Sequence, residues 1–411
     1  MKIWIIRIRL ILFFLSVVVC AQEHEFPFKH LKTFKGNTHA HTFLTYSHGN
    51  HLKRTKDYSK DNGDKMLYID SLFLSRPNKA VLKDDWELFQ GLPAKHYEEA
   101  KKAGYDFYFV TDHSQEEAFF PYYKNNTAWS LAMKQAETAT EENFTALMGV
   151  EHSENDSYNT RVHLNVIGPS SYLNALRPEV DLPYFYDWLE KNPKNQITGY
   201  PVVVQFNHPI KGQFNDFVYR DDDVTDIITI LEVVNGSKIH YVAYVEALDN
   251  GWKVSPSAGL DNHNFTAIAL AQPRTFVLAE NNTPGDILNA MRKRRTYASL
   301  DKNLECRYTV NDSLMGSTVD ESKTYKLYIH INDPDVTDES DRISKIEVIT
   351  GNGKIIKTIE SKAFRHRNYW SVSLKNKKVS NYLFVRVWDN LKDNEGDISP
   401  VAWLSPVWIK K

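Results

Sequence analysis

Short apolar runs alternate with helical patterns from residue 35 to about residue 300. A representative unit begins with LPAKHYEEAKKAG (92–104), whose spacing predicts a helix that ends at its glycine. It continues with YDFYFVTDHS (105–114), which predicts a buried strand ending in polar residues. TPGDILNAMRKRR (283–295) predicts the last helix of this region, with threonine as its cap and proline at its first position. Strands that alternate with helices indicate a parallel α/β architecture.

The pattern changes after about residue 305, where apolar and polar residues alternate with period two. KTYKLYIHIND (323–333) and YLFVRVWDN (382–390) show this alternation, and Gly351-Asn352-Gly353 predicts a hairpin between two further runs. This alternation of apolar and polar residues predicts a small all-β, sandwich-like domain. The predicted organisation is a signal peptide over 1–21, a catalytic α/β domain over 22–304 and a C-terminal β domain over 305–411.

The first 21 residues predict a secretory signal peptide. Three basic residues accompany an uncharged apolar run from Leu10 to Val19, and cleavage is expected after Ala21. The run is about half the roughly twenty residues that a membrane span needs. Lipidation at Cys20 is the alternative, which the bulky Val19 disfavours. The protein is therefore expected to be periplasmic or secreted, without a membrane span.

Charge and cysteine content narrow the classes of function. The chain has 50 basic and 52 acidic residues, and the leader contributes basic residues only. A chain with this charge balance lacks the excess of positive charge that is typical of nucleic-acid-binding proteins. Removal of Cys20 with the leader would leave Cys306 as the sole cysteine, which excludes an intrachain disulfide and a cysteine-based metal site. Any metal ion must then be held by histidine and carboxylate.

Histidine and acidic residues recur at or just beyond the ends of the predicted strands. In a parallel α/β barrel the carboxyl ends of the strands converge on one face. Imidazoles and carboxylates that converge there favour a metal centre, because crowding them without a cation is electrostatically poor. The first two histidines are separated by one residue and so point to the same face of a strand. The residues are His39, His41, His113, His163, His208 and His263, with Asp112, Glu151 and Asp261.

A series of motifs in fixed order resembles the PHP (polymerase and histidinol phosphatase) superfamily. The motifs are GNTHAHT, YDFYFVTDH, GVE, VHLNVIG, FNHP and GLDNH. The resemblance covers residues 35 to 300, and the leader and appended β domain are similar to an exported branch of carbaryl-hydrolase and microcin-processing-like metallohydrolases. It implies a distorted (β/α)7 barrel with two or three divalent ions at the strand ends. Imidazole and carboxylate ligands suit zinc, manganese or iron.

The resemblance also implies which residues hold each ion, with Glu151 bridging two of them. The first ion would be held by His39, His41, Glu151 and Asp261. The second would be completed by His163 and His208. The third would be held by His113 and His263, together with His48. Many relatives carry Ser-Asp-Gly at that last position, whereas this chain has Tyr46-Ser47-His48-Gly49, so His48 fits only if the loop holds about one extra residue.

Ions held in this way acidify a bound water and polarise a phosphoryl or ester oxygen. The first hypothesis is an exported metal-dependent hydrolase in which a metal-bridging hydroxide attacks a phosphoester, or else a carbamate, amide or other ester. The predicted catalytic residues are Asp112, His113 and Glu151, and a histidine or Asp112 is expected to assist proton transfer. Arg161 and Lys211 are candidates for binding an anionic small molecule or oligosaccharide, with solvated surface charge as the alternative for each.

Two other hypotheses remain open from the sequence. A metal-assisted lyase or dehydratase could act on uronate-containing oligosaccharides in polysaccharide degradation, because metals bound to the uronate carboxylate acidify the α-proton. Trp129, Tyr122 and Tyr123 could stack on sugar rings, although core packing explains them equally well. A non-catalytic carbohydrate-binding protein is the third hypothesis, and the nearly complete ligand set argues against it.

Overall fold

The computed structural model describes residues 27–45, 90–119, 126–154, 162–175, 180–191, 199–210, 212–220, 222–334, 342–360, 368–392 and 398–411. Within these ranges the chain forms six α-helices and twenty β-strands. The helices are α1 (Pro93–Lys102), α2 (Thr127–Ala139), α3 (Leu182–Lys191), α4 (Asp222–Thr225), α5 (Tyr241–Asp249) and α6 (Pro284–Arg292).

The strands divide into those before and those after residue 305. The first ten are β1 (Lys32–Asn37), β2 (Phe107–His113), β3 (Thr145–Glu154), β4 (Val162–Ile167), β5 (Val203–Phe206), β6 (Ile228–Asn235), β7 (Lys238–Ile239), β8 (Ser255–Gly259), β9 (Arg274–Ala279) and β10 (Thr296–Ser299). The others are β11 (Glu305–Val310), β12 (Ser313–Leu314), β13 (Thr318–Asp320), β14 (Thr324–Asn332), β15 (Lys345–Thr350), β16 (Lys354–Glu360), β17 (Tyr369–Lys375), β18 (Tyr382–Lys392), β19 (Ile398–Leu404) and β20 (Val407–Lys410).

The elements predicted from the pattern around the first unit and the last helix are present. The helix predicted over 92–104 is α1, and the strand predicted over 105–114 is β2. The last predicted helix is α6, where the Thr283 hydroxyl accepts a hydrogen bond from the Asp286 backbone N–H at 3.1 Å. A threonine cap and a proline at the first position satisfy or remove backbone donors that a helix start leaves unpaired.

The first ten strands belong to one mixed sheet. From β10 its order is β10-β9-β1-β2-β3-β4-β5-β6-β7, and β8 pairs with β6. β1, β2 and β3 are mutually parallel, as are β5, β6 and β8, but β4 is antiparallel to both of its neighbours. The expectation of a parallel sheet is therefore wrong at β4, and it is also wrong at β7, β9 and β10, which pair antiparallel with their neighbours. Only residues 155–161 separate β3 from β4, fewer than the dozen or so that a parallel crossover needs.

β8 lies near β9 and β10 without forming a described ladder with either. The Thr275 hydroxyl accepts a hydrogen bond from the Ala258 N–H at 2.8 Å and donates one to the Ala258 C=O at 2.8 Å. The Thr296 hydroxyl donates to the Pro256 C=O at 2.8 Å. One isolated bridge joins Ala40 to Asn262. The described residues thus form a mixed α/β fold with a large sheet, and closure into a (β/α)7 barrel stays a prediction.

The chain after residue 305 is rich in β structure and continues the large sheet. β10 pairs with β19, which pairs with β18, and β18 pairs with β15 and β20. A second sheet of four strands has the order β12-β11-β14-β17 and packs on the first through a shared apolar core. The hairpin predicted at 351–353 joins β15 to β16. The large sheet continues past residue 305, because β10 pairs with β19. The domain boundary at 304/305 therefore stays a prediction.

Helix α5 fixes the C-terminal β part against the α/β part. The Asp249 carboxylate accepts hydrogen bonds from the Tyr382 hydroxyl at 2.9 Å and from the Asn352 backbone N–H at 3.0 Å.

Trp129 is a core residue, only 3% exposed and packed between Phe119 and Tyr172, and this favours core packing over sugar stacking. Among the described helices, none has the length and apolar character to cross a bilayer.

Candidate metal centre

The candidate ligands come together because they sit at neighbouring strand ends. His39 and His41 follow β1, and Asp261 follows β8. Two backbone hydrogen bonds align these segments: the His41 N–H donates to the Asn262 C=O at 2.9 Å, and the Asp261 N–H donates to the His39 C=O at 3.0 Å. His113 ends β2, Glu151 lies on β3, His163 on β4, and His208 follows β5. The segments are thereby held in register by main-chain contacts before any ion is considered.

The buried carboxylate of Glu151 lies at the middle of the cluster and faces imidazole nitrogens with both oxygens. Its Oε1 faces three ring nitrogens, and its Oε2 faces two. From Oε1 the distances are 3.5 Å to His39 Nε2, 3.2 Å to His163 Nδ1 and 3.5 Å to His208 Nε2. From Oε2 they are 3.4 Å to His41 Nε2 and 3.4 Å to His113 Nε2. Both oxygens of Glu151 thus face candidate ligands, and its bridging of two ions stays a prediction.

His39, His41 and Asp261 form the first group of ligand atoms. Their closest approaches are 3.1 Å between the two Nε2 atoms, 3.0 Å from His41 Nε2 to Asp261 Oδ1 and 3.5 Å from His39 Nε2 to the same oxygen. Tetrahedral ligands about 2.1 Å from an ion lie about 3.4 Å from one another. Nitrogen and carboxylate donors at this spacing therefore fit a divalent ion between them.

Two further groups of ligand atoms lie in the same cluster, and one of them shares His41 with the first group. Glu151, His163 and His208 form one, and His41, His113 and His263 form the other, with the ligand atoms of each group within 4.8 Å of one another. In the latter, the ring of His41 lies 4.5 Å from that of His113 and 4.3 Å from that of His263. The structure thus brings together eight of the nine predicted ligands. His48, the ninth, lies outside the described residues, as do Arg161 and Lys211.

The two carboxylates of the cluster are held in the charged form. Burial opposes this, but the positive potential of His39 and His163 holds the pKa of Glu151 well below its ordinary value. Burial likewise opposes ionisation of Asp261, whose pKa is lowered by His39 and His41. Charged carboxylates are the form that binds a cation.

Several imidazoles of the cluster are held neutral. Burial, reinforced by His263, lowers the pKa of His41, and burial lowers the pKa of His113 well below its ordinary value. A neutral imidazole has a free nitrogen lone pair, which a metal ion needs. His41 and His113 are therefore in the ligating form near neutral pH.

Asp112 is fully buried, and its carboxylate binds the segment that follows His41. It accepts hydrogen bonds from the Thr42 N–H at 2.6 Å, the Thr42 hydroxyl at 2.8 Å and the Thr45 hydroxyl at 2.5 Å. These contacts tie β2 to the end of the segment carrying the first two histidines. We interpret Asp112 as a positioning residue, and its predicted part in proton transfer stays a prediction.

Glu232 is a residue of the site that the sequence analysis missed. It is fully buried on β6, and its Oε1 lies 2.9 Å from His39 Nδ1, while its Oε2 accepts hydrogen bonds from the His208 N–H at 2.8 Å and Asn235 Nδ2 at 3.1 Å. Burial lowers the pKa of His39, but the charges of Glu232, Asp261 and Glu151 together outweigh burial and raise that pKa well above its ordinary value. The available signal was one acidic residue inside the apolar run ITILEVVN.

Two amide side chains that the motifs did not single out also support the ligands. Asn207 Nδ2 donates to Glu151 Oε1 at 2.9 Å. Gln115 Nε2 lies 2.9 Å from His113 Nδ1. His152, beside Glu151, instead stacks on Phe185 at 4.1 Å and is buried in the core. Outer contacts of this kind orient ligands and tune their basicity.

Replacing Glu232 with Gln is expected to weaken the binding of the ion held by His39. Loss of the charge behind Nδ1 makes the imidazole a poorer ligand, and such outer-contact changes lower metal affinity by roughly 10- to 100-fold. Competition with a fluorescent chelator measures the affinity. Glu280→Gln, at an exposed position, is the matched control and should leave the affinity unchanged. Equal affinities for Glu232→Gln and the unaltered protein would show that Glu232 does not support His39 in the bound state.

Comparison with known proteins finds similar solved structures, of which two are given below, whereas no protein-family model and no curated protein matches the chain. The first is a two-domain protein containing a predicted PHP-like metal-dependent phosphoesterase from Bacteroides vulgatus ATCC 8482. It is 14% identical, with a TM-score of 0.42, over 91% of this chain and 96% of that chain. The second is a proposed metal-dependent phosphoesterase from Bifidobacterium adolescentis ATCC 15703. It is 13% identical, with a TM-score of 0.26, over 43% of this chain and 84% of that chain.

The first description names a PHP-like metal-dependent phosphoesterase, and the second names a metal-dependent phosphoesterase. Likenesses with TM-scores of 0.42 and 0.26 carry no weight for the site or its chemistry. The metal centre is accordingly inferred from the side-chain geometry of this chain alone. That geometry defines a candidate site for divalent ions.

Proposed function

We propose that the protein is a metal-dependent hydrolase of the PHP type, acting on a phosphoester or, second, on a carbamate, amide or other ester. The observation that carries the proposal is the buried Glu151 carboxylate, which faces five imidazoles at 3.2–3.5 Å. The choice of phosphoester as first substrate class rests on the motif resemblance. Export from the cytoplasm is part of the same proposal and rests on the leader sequence.

The chain's own residues divide the work of the site. Glu151 and Asp261 supply negative charge that concentrates cations, and the neutral imidazoles of His41 and His113 supply ligand atoms. Ions bound there would provide an acidified water and a Lewis acid for the substrate oxygen. His163, His208 and Asp261 are 19%, 21% and 28% exposed, whereas His39 and His41 are fully buried, so substrate is expected to approach from the side of the former three.

Metal removal tests the proposal. The purified protein is expected to contain divalent metal and to hydrolyse at least one member of a panel of aryl phosphate monoesters, phosphodiesters, carboxylic esters and carbamates. Dialysis against a chelator should abolish that hydrolysis, and adding back zinc, manganese or iron should restore it. Elemental analysis counts the ions before and after dialysis, and released phenolate measures the rate.

Two outcomes would contradict the proposal. Hydrolysis that continues at full rate in metal-free protein would place the chemistry elsewhere. Release of an unsaturated product from a uronate oligosaccharide, with loss of one water or formation of a 4,5-double bond and no hydrolysis of the panel, would identify a lyase or dehydratase instead. Mass spectrometry of the products separates these results from one another.

A further inference from the structure

The C-terminal β part contains an open groove at the edge between its two sheets. One wall is β16, which among the described strands pairs only with β15, and the other is β17, which pairs only with β14. The groove has a volume of about 530 Å³. It lies outside the metal centre, since none of its lining residues follows the strand ends that carry the candidate ligands.

The lining of the groove is cationic with an apolar floor. Lys357, Lys375, Lys377 and Lys378 line it, and no acidic residue does. Ile356, Val372 and Leu374 form the floor, and the hydroxyl-bearing residues Ser371 and Ser373 stand on the outer side of β17. Among the described residues, none of the four lysines forms an ion pair. The groove therefore presents positive charge that no described carboxylate neutralises.

An aromatic side chain continues the outer side of β17. Tyr369, Ser371, Ser373 and Lys375 alternate along the strand and therefore share one face. The Tyr369 ring is 46% exposed and is supported by the His330 ring at 4.5 Å. An exposed aromatic ring held in place by a neighbour offers an apolar surface with a hydroxyl at its edge. The face thus combines a ring, two hydroxyls and positive charge in one line.

We propose that this groove binds an acidic polysaccharide, one whose sugars carry carboxylate or sulfate groups. The lysines complement its charge, the hydroxyls match its hydroxyl groups, and the apolar floor and Tyr369 match the C–H faces of its rings. An acidic peptide is the rival occupant, and it would bind by adding a strand to β16 or β17. Lysines on edge strands oppose the addition of a further strand, which favours the polysaccharide. The proposal does not depend on hydrolysis at the metal centre.

Charge reversal in the groove tests this assignment with the full chain lacking its leader. Sodium polygalacturonate is the probe, neutral dextran is the uncharged comparison, and binding is followed by affinity electrophoresis and calorimetry. The variant Lys375→Glu with Lys377→Glu and Lys378→Glu is expected to bind polygalacturonate roughly tenfold more weakly or worse. High salt should weaken the binding of the unaltered protein, since exposed charges are screened. The matched control reverses Lys134, Lys253 and Lys302, which are exposed and distant in sequence from the groove.

Tyr369→Ala separates the two occupants. It should weaken binding of polygalacturonate and leave binding of poly-glutamate unchanged, because only the sugar rings use the aromatic face. The assignment is overturned if the unaltered protein fails to bind polygalacturonate at low salt, or if the control triple variant loses binding equally. Poly-glutamate bound as tightly as polygalacturonate would assign the groove to acidic peptides instead. Unchanged metal content and unchanged circular dichroism show that each variant is folded.

Discussion

The Glu151→Gln variant is expected to lose both hydrolysis and the ions that share Glu151. Gln keeps the shape of the side chain but removes the charge that faces His39, His41, His113, His163 and His208. A carboxylate that bridges two ions supports both, so we expect the metal content to fall by about two ions per chain. Loss of several kcal/mol of charge stabilisation corresponds to a fall in kcat/KM of about a thousandfold or more.

Elemental analysis and steady-state kinetics on the same preparation measure the two effects together. Glu142→Gln, at an exposed position just before β3, is the matched control and should retain metal and activity. A Glu151→Gln protein with the full complement of ions would show that Glu151 does not bridge. Full activity in that protein would separate the reaction from this cluster altogether.

The Asp112→Ala variant is expected to show the largest loss of stability. Its carboxylate accepts three hydrogen bonds within the buried interior, from Thr42 and Thr45. Removing it leaves three buried donors without an acceptor, each worth about 1–3 kcal/mol, so the free energy of unfolding should fall by about 3 kcal/mol or more. The loosened segment also carries His41, and metal affinity should fall with it.

Asp112→Asn distinguishes a positioning role from proton transfer. A positioning residue predicts an intermediate loss of stability and of metal affinity, because Asn retains one acceptor oxygen. Chemical denaturation and chelator competition measure these quantities. If instead the Asn variant keeps its stability and its ions but loses turnover, Asp112 acts in the proton transfer predicted from the sequence. Glu142→Gln serves again as the surface control.

The sequence could predict that these side chains cluster, because they are polar residues placed where apolar strands end. The HxH pair, His113, Glu151 and Asp261 were recognisable from this placement and from the motif order. Glu232 was not recognisable as part of the site, since it lies inside a buried strand. Its role depends on its contact with His39 Nδ1, which is 193 residues away in the sequence. A lone acid in an apolar run signals a partner without naming it.

The sheet topology shows the same division. Strand and helix positions such as α1, β2 and α6 follow from local periodicity and capping, which depend on neighbouring residues. The direction of β4 follows from chain connectivity across 155–161, and the pairing of β10 with β19 joins segments about one hundred residues apart. Local periodicity predicts neither the direction of β4 nor the pairing of β10 with β19, because strand pairing depends on residues far away in the sequence.

By itself, the sequence determined the kinds of ligand, their placement at strand ends and the change to β structure after residue 305. Tertiary structure alone decided that Glu151 faces five imidazoles, that Glu232 supports His39 and that Asp112 binds Thr42 and Thr45. The physical reason is one of range. Residue type and spacing set which groups can bind a metal, whereas distances of 3–4 Å between them exist only after strands far apart in the chain have packed side by side.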